Sequence, residues 1–267
     1  LDEIDLFPSP PEQAVFRNYR RWAVESAALD LALRQADRSL GAVLDRQYDP
    51  VRFVVSTRLG EPPRIDRIDT LLDVHGDLEF KLDPTSEWTR DLAERVAARA
   101  PVRILDLKGQ YEGTDVDQPV DPDLYELVLD TFPEAVVEDP ALTAETRSLF
   151  EGHEERVSWD YPITGVESVT DLPFEPSWLN VKPSRFGTVA SLFETIEYAR
   201  ERDIALYGGG QFELGVGRQH LQVLASLFYP DAPNDVAPGG YNDPEPAPNL
   251  PASPLAPPDE PQGLGWE

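Results

Sequence analysis

Residues 102–140 open on Val102-Arg103-Ile104-Leu105-Asp106-Leu107 and close on Ala135-Val136-Val137-Glu138-Asp139-Pro140, with an amphipathic stretch at 123–131 between them. The two apolar runs start 33 residues apart, which leaves room for one crossover helix. That is the pattern of a parallel strand–helix–strand unit. The unit repeats outward in both directions. Further strand candidates are 51–56 (VRFVVS), 78–82 (LEFKL), 156–160 (RVSWD), 178–182 (WLNVK) and 204–207 (IALY), spaced 21 to 33 residues from start to start. An eighth, weaker candidate lies near Val236. Helices are expected at 87–99, 188–202 and 216–228; in the second, Val189, Leu192, Phe193, Ile196 and Ala199 form the apolar stripe. Seven or eight such units without a long break predict an α/β chain closed into a (β/α)8-type, TIM-like barrel rather than an open sheet.

The flanks differ in character. Residues 1–12 are polar and carry Pro8, Pro10 and Pro11, and a helix follows in which Val15, Tyr19, Trp22, Ser26, Leu29, Leu33 and Ala36 share one face. The expected division is an arm and lead-in helix over 1–48, a barrel over 49–240, and a Pro-rich tail over 241–267 that wraps the barrel or is disordered.

Composition bounds the function. The chain has 267 residues, 40% of them apolar, enough for a large core. A net charge of −27 argues against nucleic acid and anionic membranes as partners. Fifty acids against three lysines suit a salt-adapted protein, which concerns solubility and not activity. Without Cys there is no disulfide, thiolate nucleophile or Cys-ligated metal. No membrane-length apolar run and no signal pattern occurs, so a cytoplasmic protein is expected. The chain starts at Leu1 and contains no Met, so further N-terminal sequence is expected.

The three lysines, Lys81, Lys108 and Lys182, stand against twenty arginines, and each ends an apolar run. Arg cannot release its proton in a protein, whereas Lys can serve as a base. Barrel chemistry sits at the C-terminal ends of the strands. Those ends hold Lys81 and Asp83, Asp106 and Lys108, Glu138-Asp139-Pro140, Asp160, and Lys182. Alternation at period 2 turns Lys81 and Asp83 the same way, and likewise Asp106 and Lys108. Asp106, Glu138 and Asp160, on three successive strand ends, are expected to converge as oxygen ligands for a hard cation, Mg2+ above all, with Mn2+ as the alternative.

The ordered set Lys81, Asp106, Glu138-Asp139-Pro140, Asp160, Lys182, Gly208-Gly209-Gly210 and Pro233-Asn234-Asp235 resembles the enolase superfamily, in particular the muconate-lactonizing and o-succinylbenzoate-synthase type of barrel. Residues 23–32 look like the helix preceding the first barrel strand there, and Gly263-Leu264-Gly265-Trp266 like the terminal segment. The resemblance spans about residue 13 to 267. It implies a modified (β/α)7β barrel, an N-terminal capping domain largely missing from this chain, and a Mg2+-dependent lyase or isomerase. Such an enzyme abstracts a proton α to a carboxylate and passes through a metal-stabilised enediolate, with Lys182 and then Lys81 as the catalytic candidates. Dehydration, cycloisomerisation and epimerisation are all compatible with it.

Departures from the pattern are specific. The usual Lys-x-Lys on the second strand reads Lys81-Leu82-Asp83, the usual Asp-x-Asn reads Asp106-Leu107-Lys108, and the usual Asp-Glu pair reads Asp160-Tyr161. Asp83 and Lys108 are therefore expected to pair, or Lys108 to stand where a cation would. The second outcome describes a non-catalytic barrel with a binding or structural role. Loss of the second strand-2 lysine favours one-base elimination over racemisation. Gly209, Gly210 and Gln211 follow a strand and precede a helix, where backbone amides can hold a substrate anion, although a tight turn is the simpler role. Glu213, Arg218 and Asp235 are candidate substrate contacts. Arg185 is expected in a structural salt bridge, and His220 packed within its helix. The expected partner is a small carboxylate; homo-oligomerisation is left open.

Overall fold

A computed structural model describes residues 7–114, 116–211 and 213–266. Seven parallel strands run in sequential order: β1 (Val55–Thr57), β2 (Phe80–Leu82), β3 (Val102–Asp106), β4 (Val136–Glu138), β5 (Val157–Trp159), β6 (Trp178–Val181) and β7 (Ala205–Gly208). They are short, and β2, β4 and β5 are wholly buried while the others are buried in part, as expected of strands with helices outside and side chains packed within. Phe53, Phe80, Leu82, Leu105, Val137, Val157 and Leu179 are at most 1% exposed and form the centre of the core. Burying each such side chain contributes about 1.5–3 kcal/mol.

The helices begin with α1 (Phe16–Gln35) and α2 (Leu40–Leu44), followed by α3 (Asp66–Leu72), α4 (Arg90–Arg99), α5 (Pro122–Thr131), α6 (Val166–Thr170), α7 (Pro183–Phe186), α8 (Val189–Arg200) and α9 (Val216–Phe228). Their starts are written locally. Thr89 accepts from Leu92 N at 3.2 Å, Asp121 from Leu124 N at 3.2 Å ahead of Pro122, and Thr188 from Ser191 N at 3.0 Å. The expected helix 188–202 starts at Val189 because Gly187 (φ +74°) turns the chain between α7 and α8. The crossover from β4 to β5 holds only two 3-10 turns, Arg147–Phe150 and Glu154–Arg156, consistent with its short spacing. Helices α2, α3, α6 and α7 were not anticipated; each has at most seven residues, too few to show a period.

The first strand is shorter than 51–56, and its front half explains how the barrel closes. Val51 bridges antiparallel to Leu255, and Phe53 bridges in parallel to Asn234. Val54 N donates to Asn234 O (2.9 Å), while Asp235 N donates to Gly208 O (2.8 Å). The weak eighth candidate near Val236 is thus a short segment centred on Asn234, lying between β7 and β1. The Asn234 side chain reinforces the seam, accepting from Gly208 N (2.7 Å) and donating to Arg52, Tyr229 and Ala232 carbonyls at 3.0–3.1 Å.

The described part of the tail packs on the barrel. Gly239 and Asn242 stand at the mouth, Tyr241 is buried and donates to Pro251 O (2.8 Å), and Leu255 pairs with Val51 at the opposite rim. Gly263 bridges Ser39, and Leu264 N donates to Asp30 of α1 at 2.7 Å.

Candidate active site

Register sets the site. Asp106 is paired with Glu138 across β3 and β4, and Glu138 with Ser158 across β4 and β5, so the ends of three strands lie at one level. Asp106, Glu138 and Asp160 are each 0% exposed, and one ligand atom from each lies within 4.8 Å of the others. Convergence of three carboxylates on one point is what the alternation within each strand predicts.

Four cations meet these three carboxylates. Lys81 Nζ pairs with Glu138 and lies 3.3 Å from Asp106 Oδ2. Lys108 Nζ pairs with Asp106 Oδ2 and lies 3.8 Å from Asp83 Oδ1. Lys182 Nζ stands 2.7 Å from Asp160 Oδ2, and Arg185 NH1 stands 3.0 Å from Asp160 Oδ1. Burial opposes the charge of a buried group, and its partners can outweigh that or not. At Glu138 burial, with Asp106 beside it, outweighs Lys81 and holds the carboxyl well above the usual carboxylate range. For Lys81, Glu138 and Asp106 outweigh burial and hold its ammonium well above the ordinary lysine value. Burial likewise works against Asp106, yet Lys108 and Lys81 hold it far below the carboxylate range. Asp160, also buried, is brought to about 2 by Arg185 and Lys182. Burial, with Asp160 and Asp106 nearby, lifts Asp139 to about 7.

A ring of hydrogen bonds positions the carboxylates. Tyr111 OH donates to Asp160 Oδ2 at 2.8 Å and accepts from Arg185 at 3.0 Å. Tyr207 OH and Asn180 Nδ2 (3.1 Å) both donate to Glu138 Oε2, and Ser158 bonds Tyr207 OH at 2.8 Å. Asp139 turns the other way, at φ +50°, and accepts from the backbone N–H of Asp160 and of Tyr161, both at 2.8 Å. It braces the β5 end. Two of these residues carried a readable signal: Asn180 and Ser158 lie two before Lys182 and Asp160, on the same inward face. Tyr111 and Tyr207 carried none, because an aromatic residue after or within a strand is usually core.

The three lysines that pair with these carboxylates line a cavity of about 680 Å3. Of the residues singled out from sequence, Lys81, Asp83, Lys108, Lys182, Gly210, Gln211, Glu213, Arg218 and Asp235 all line it. Gly209 sits just behind: a Cβ there would meet Asn180 Oδ1 at 2.8 Å and Lys182 Cε at 3.1 Å, so the absent side chain leaves room for the lysine. Glu213 accepts from Ser184 Oγ of α7 (3.0 Å) and from Gln211 N of its own loop, and the Gln211 amide oxygen faces Arg185 Nε at 2.8 Å. Arg185 is buried in an ion pair, and His220 is 5% exposed within α9.

The donor set fits a hard divalent cation. All three groups are carboxylates, and Asp160 Oδ1, although close to Arg185, accepts no hydrogen bond. The same three carboxylates are also met by four of the chain's own cations, Lys81, Lys108, Lys182 and Arg185.

Comparison with known proteins places this geometry. No curated protein matches the chain in sequence. Among solved structures, an enolase-superfamily member from Listeria innocua is 20% identical, with a TM-score of 0.62 over 81% of this chain and 59% of that one. An enolase-superfamily member from Enterococcus faecalis is 19% identical, with a TM-score of 0.62 over 87% and 66%. A dipeptide epimerase from Methylococcus capsulatus, complexed with Mg and L-Arg-D-Lys, is 19% identical, with a TM-score of 0.64 over 92% and 71%. The chain thus spans about three fifths to seven tenths of these proteins' lengths. Family models described as the N-terminal and C-terminal domains of a domain of unknown function, DUF8230, match residues 1–43 and 47–243. The chain therefore belongs to the DUF8230 family, and its barrel has the fold of the enolase superfamily.

Proposed function

We propose that this chain is a Mg2+-dependent lyase or isomerase that removes the proton α to a carboxylate of a small substrate, with Lys182 as the acid/base group. The observation that carries this reading is that Lys182 and Lys81 both line one cavity while pairing with the convergent carboxylates Asp106, Glu138 and Asp160. Those carboxylates would hold the cation. A bound divalent cation would supply positive charge to a substrate carboxylate, whose α-proton is otherwise too weakly acidic to remove.

The chain's own residues do the rest. Lys182, at the end of β6, has its ammonium on Asp160, and Asp160 keeps two other partners, Arg185 and Tyr111. Loss of the Lys182 proton therefore leaves no orphaned carboxylate. Lys81, paired with Glu138 and Asp106, lines the same cavity and stands as the second catalytic candidate. With an acid, Asp83, at the second lining position at the end of β2, where another base would be needed, elimination or cycloisomerisation is favoured over two-base epimerisation. The proposed division is an arm and lead-in helix over 1–48, the barrel over 49–240, and the tail over 241–267.

The test combines two measurements. Mg2+ should raise the melting temperature, since a ligand at a hundred times its Kd stabilises by about 2.7 kcal/mol. In D2O with Mg2+, a panel of dipeptides, N-acyl amino acids and hydroxy acids should include a compound whose α-proton exchanges. Neither stabilisation nor exchange at millimolar Mg2+ would leave the second reading, a barrel that binds without catalysing. That reading is favoured by one observation: Lys108 already pairs with Asp106.

A further inference from the structure

Lys108 combines two features that ordinary packing does not require. Its backbone is left-handed (φ +55°), a conformation that costs a non-glycine residue about 1–2 kcal/mol. The turn has a local effect: the Lys108 N–H donates to Asp106 Oδ1 at 3.1 Å while its ammonium curls back onto Asp106 Oδ2. Both oxygens of one triad carboxylate are thus engaged by a single residue. Strain at a site residue persists where the surroundings hold it in place.

A second acceptor stands beside it. Asp83, on the neighbouring strand end, has its Oδ2 held by Arg58 at 3.2 Å and its Oδ1 turned toward Lys108 at 3.8 Å. The Lys108 side chain is 12% exposed, and both it and Asp83 line the cavity, which offers the ammonium a short path from one carboxylate to the other.

We propose that Lys108 is the resident counter-cation of the carboxylate site: it neutralises Asp106 in the metal-free protein and moves to Asp83 when a divalent cation enters. The proposal rests on the metal reading above. Asp83 and Lys108, on adjacent strand ends, each supply half of the ion pair that the loaded site would need. The ammonium stays charged throughout, so the exchange involves displacement and no proton transfer.

Calorimetric titration of the full chain with Mg2+ tests it, alongside K108N and D83N. Asparagine keeps the left-handed backbone at low cost, so K108N should fold. K108N should bind Mg2+ about tenfold or more tightly than the wild type, because two like charges no longer compete. D83N should bind it more weakly, because the displaced ammonium loses its second acceptor. In crystals grown with Mg2+, Lys108 Nζ should lie against Asp83. If the wild type binds Mg2+ and K108N binds it equally well, the counter-cation role is overturned while the metal reading stands. If D83N matches the wild type, or Lys108 stays on Asp106 in the loaded crystal, the transfer to Asp83 is overturned. If neither the wild type nor K108N binds a divalent ion, both the proposal and the metal reading fall.

Discussion

Lys182 and Tyr207 show how differently a single side chain can serve the same site. Lys182 ends β6 and reaches the cavity, so its removal should affect turnover more than folding. With a substrate identified from the exchange panel, K182Q should slow α-proton exchange about 10^3-fold, the usual scale for a general base, while the melting temperature holds. Tyr207 is 0% exposed and never meets a substrate, yet its hydroxyl serves Glu138 and Ser158 together. Removing it leaves a buried carboxylate oxygen short of a donor, so Y207F should lose about 1–3 kcal/mol in urea denaturation. An unchanged urea midpoint would show that Asn180 alone satisfies Glu138. The lysines were legible at this scale because Lys is rare in this chain; Tyr207 was not, because nothing in IALYG separates a hydrogen-bonded tyrosine from a packed one.

At the scale of elements, the eighth position of the barrel is the most economical piece of the fold. One residue, Asn234, joins the rims that a full strand would otherwise join, using both its backbone and its amide. N234A removes the amide's bonds to three carbonyls and orphans the Gly208 N–H, and should cost about 2–4 kcal/mol. Hydrogen exchange should then rise first at Val54 and Asp235, the amides of the seam. Helix caps are a milder case: T89A should cost about 1 kcal/mol. Long helices were readable from period and cap together, and α9 was expected with the bounds it has. The missed helices are too short for periodicity, and β1 was overextended because 51–54 is apolar for a different reason. That segment pairs with Asn234 and Leu255 instead of β2.

The whole molecule carries a net charge of −27, and its tail is tied down partly by a carboxylate. Self-repulsion of that size is screened by salt, so the melting temperature should climb as KCl is raised from low to molar concentration. Asp30 allows a sharper test. Burial is the largest single influence and raises its carboxyl, but the Leu264 N–H and Arg34 together outweigh it and leave it below the ordinary value. A lowered folded value means the contact stabilises above the unfolded carboxylate pKa, near 4, and is lost as pH falls through the folded value. The Leu264 amide should therefore lose protection on acidification before the strand amides do, and D30N should remove that pH dependence. Among the described residues no helix is long and apolar enough to cross a membrane.

By itself the sequence determined the alternation of strands and helices, and with it the barrel and the strand ends where chemistry gathers. Period and spacing are local properties, and a parallel barrel turns them directly into position. It also determined which carboxylates would meet, since residues at the ends of successive parallel strands have little choice of neighbour. Only the tertiary structure decided how the charges pair: that Lys108 curls back onto Asp106, that Asp83 offers it a second oxygen, and that Arg185 and Tyr111 share Asp160. Pairing depends on sub-ångström distances and on burial, which set whether an ammonium or a divalent cation wins a carboxylate, and neither is written in the order of residues along the chain.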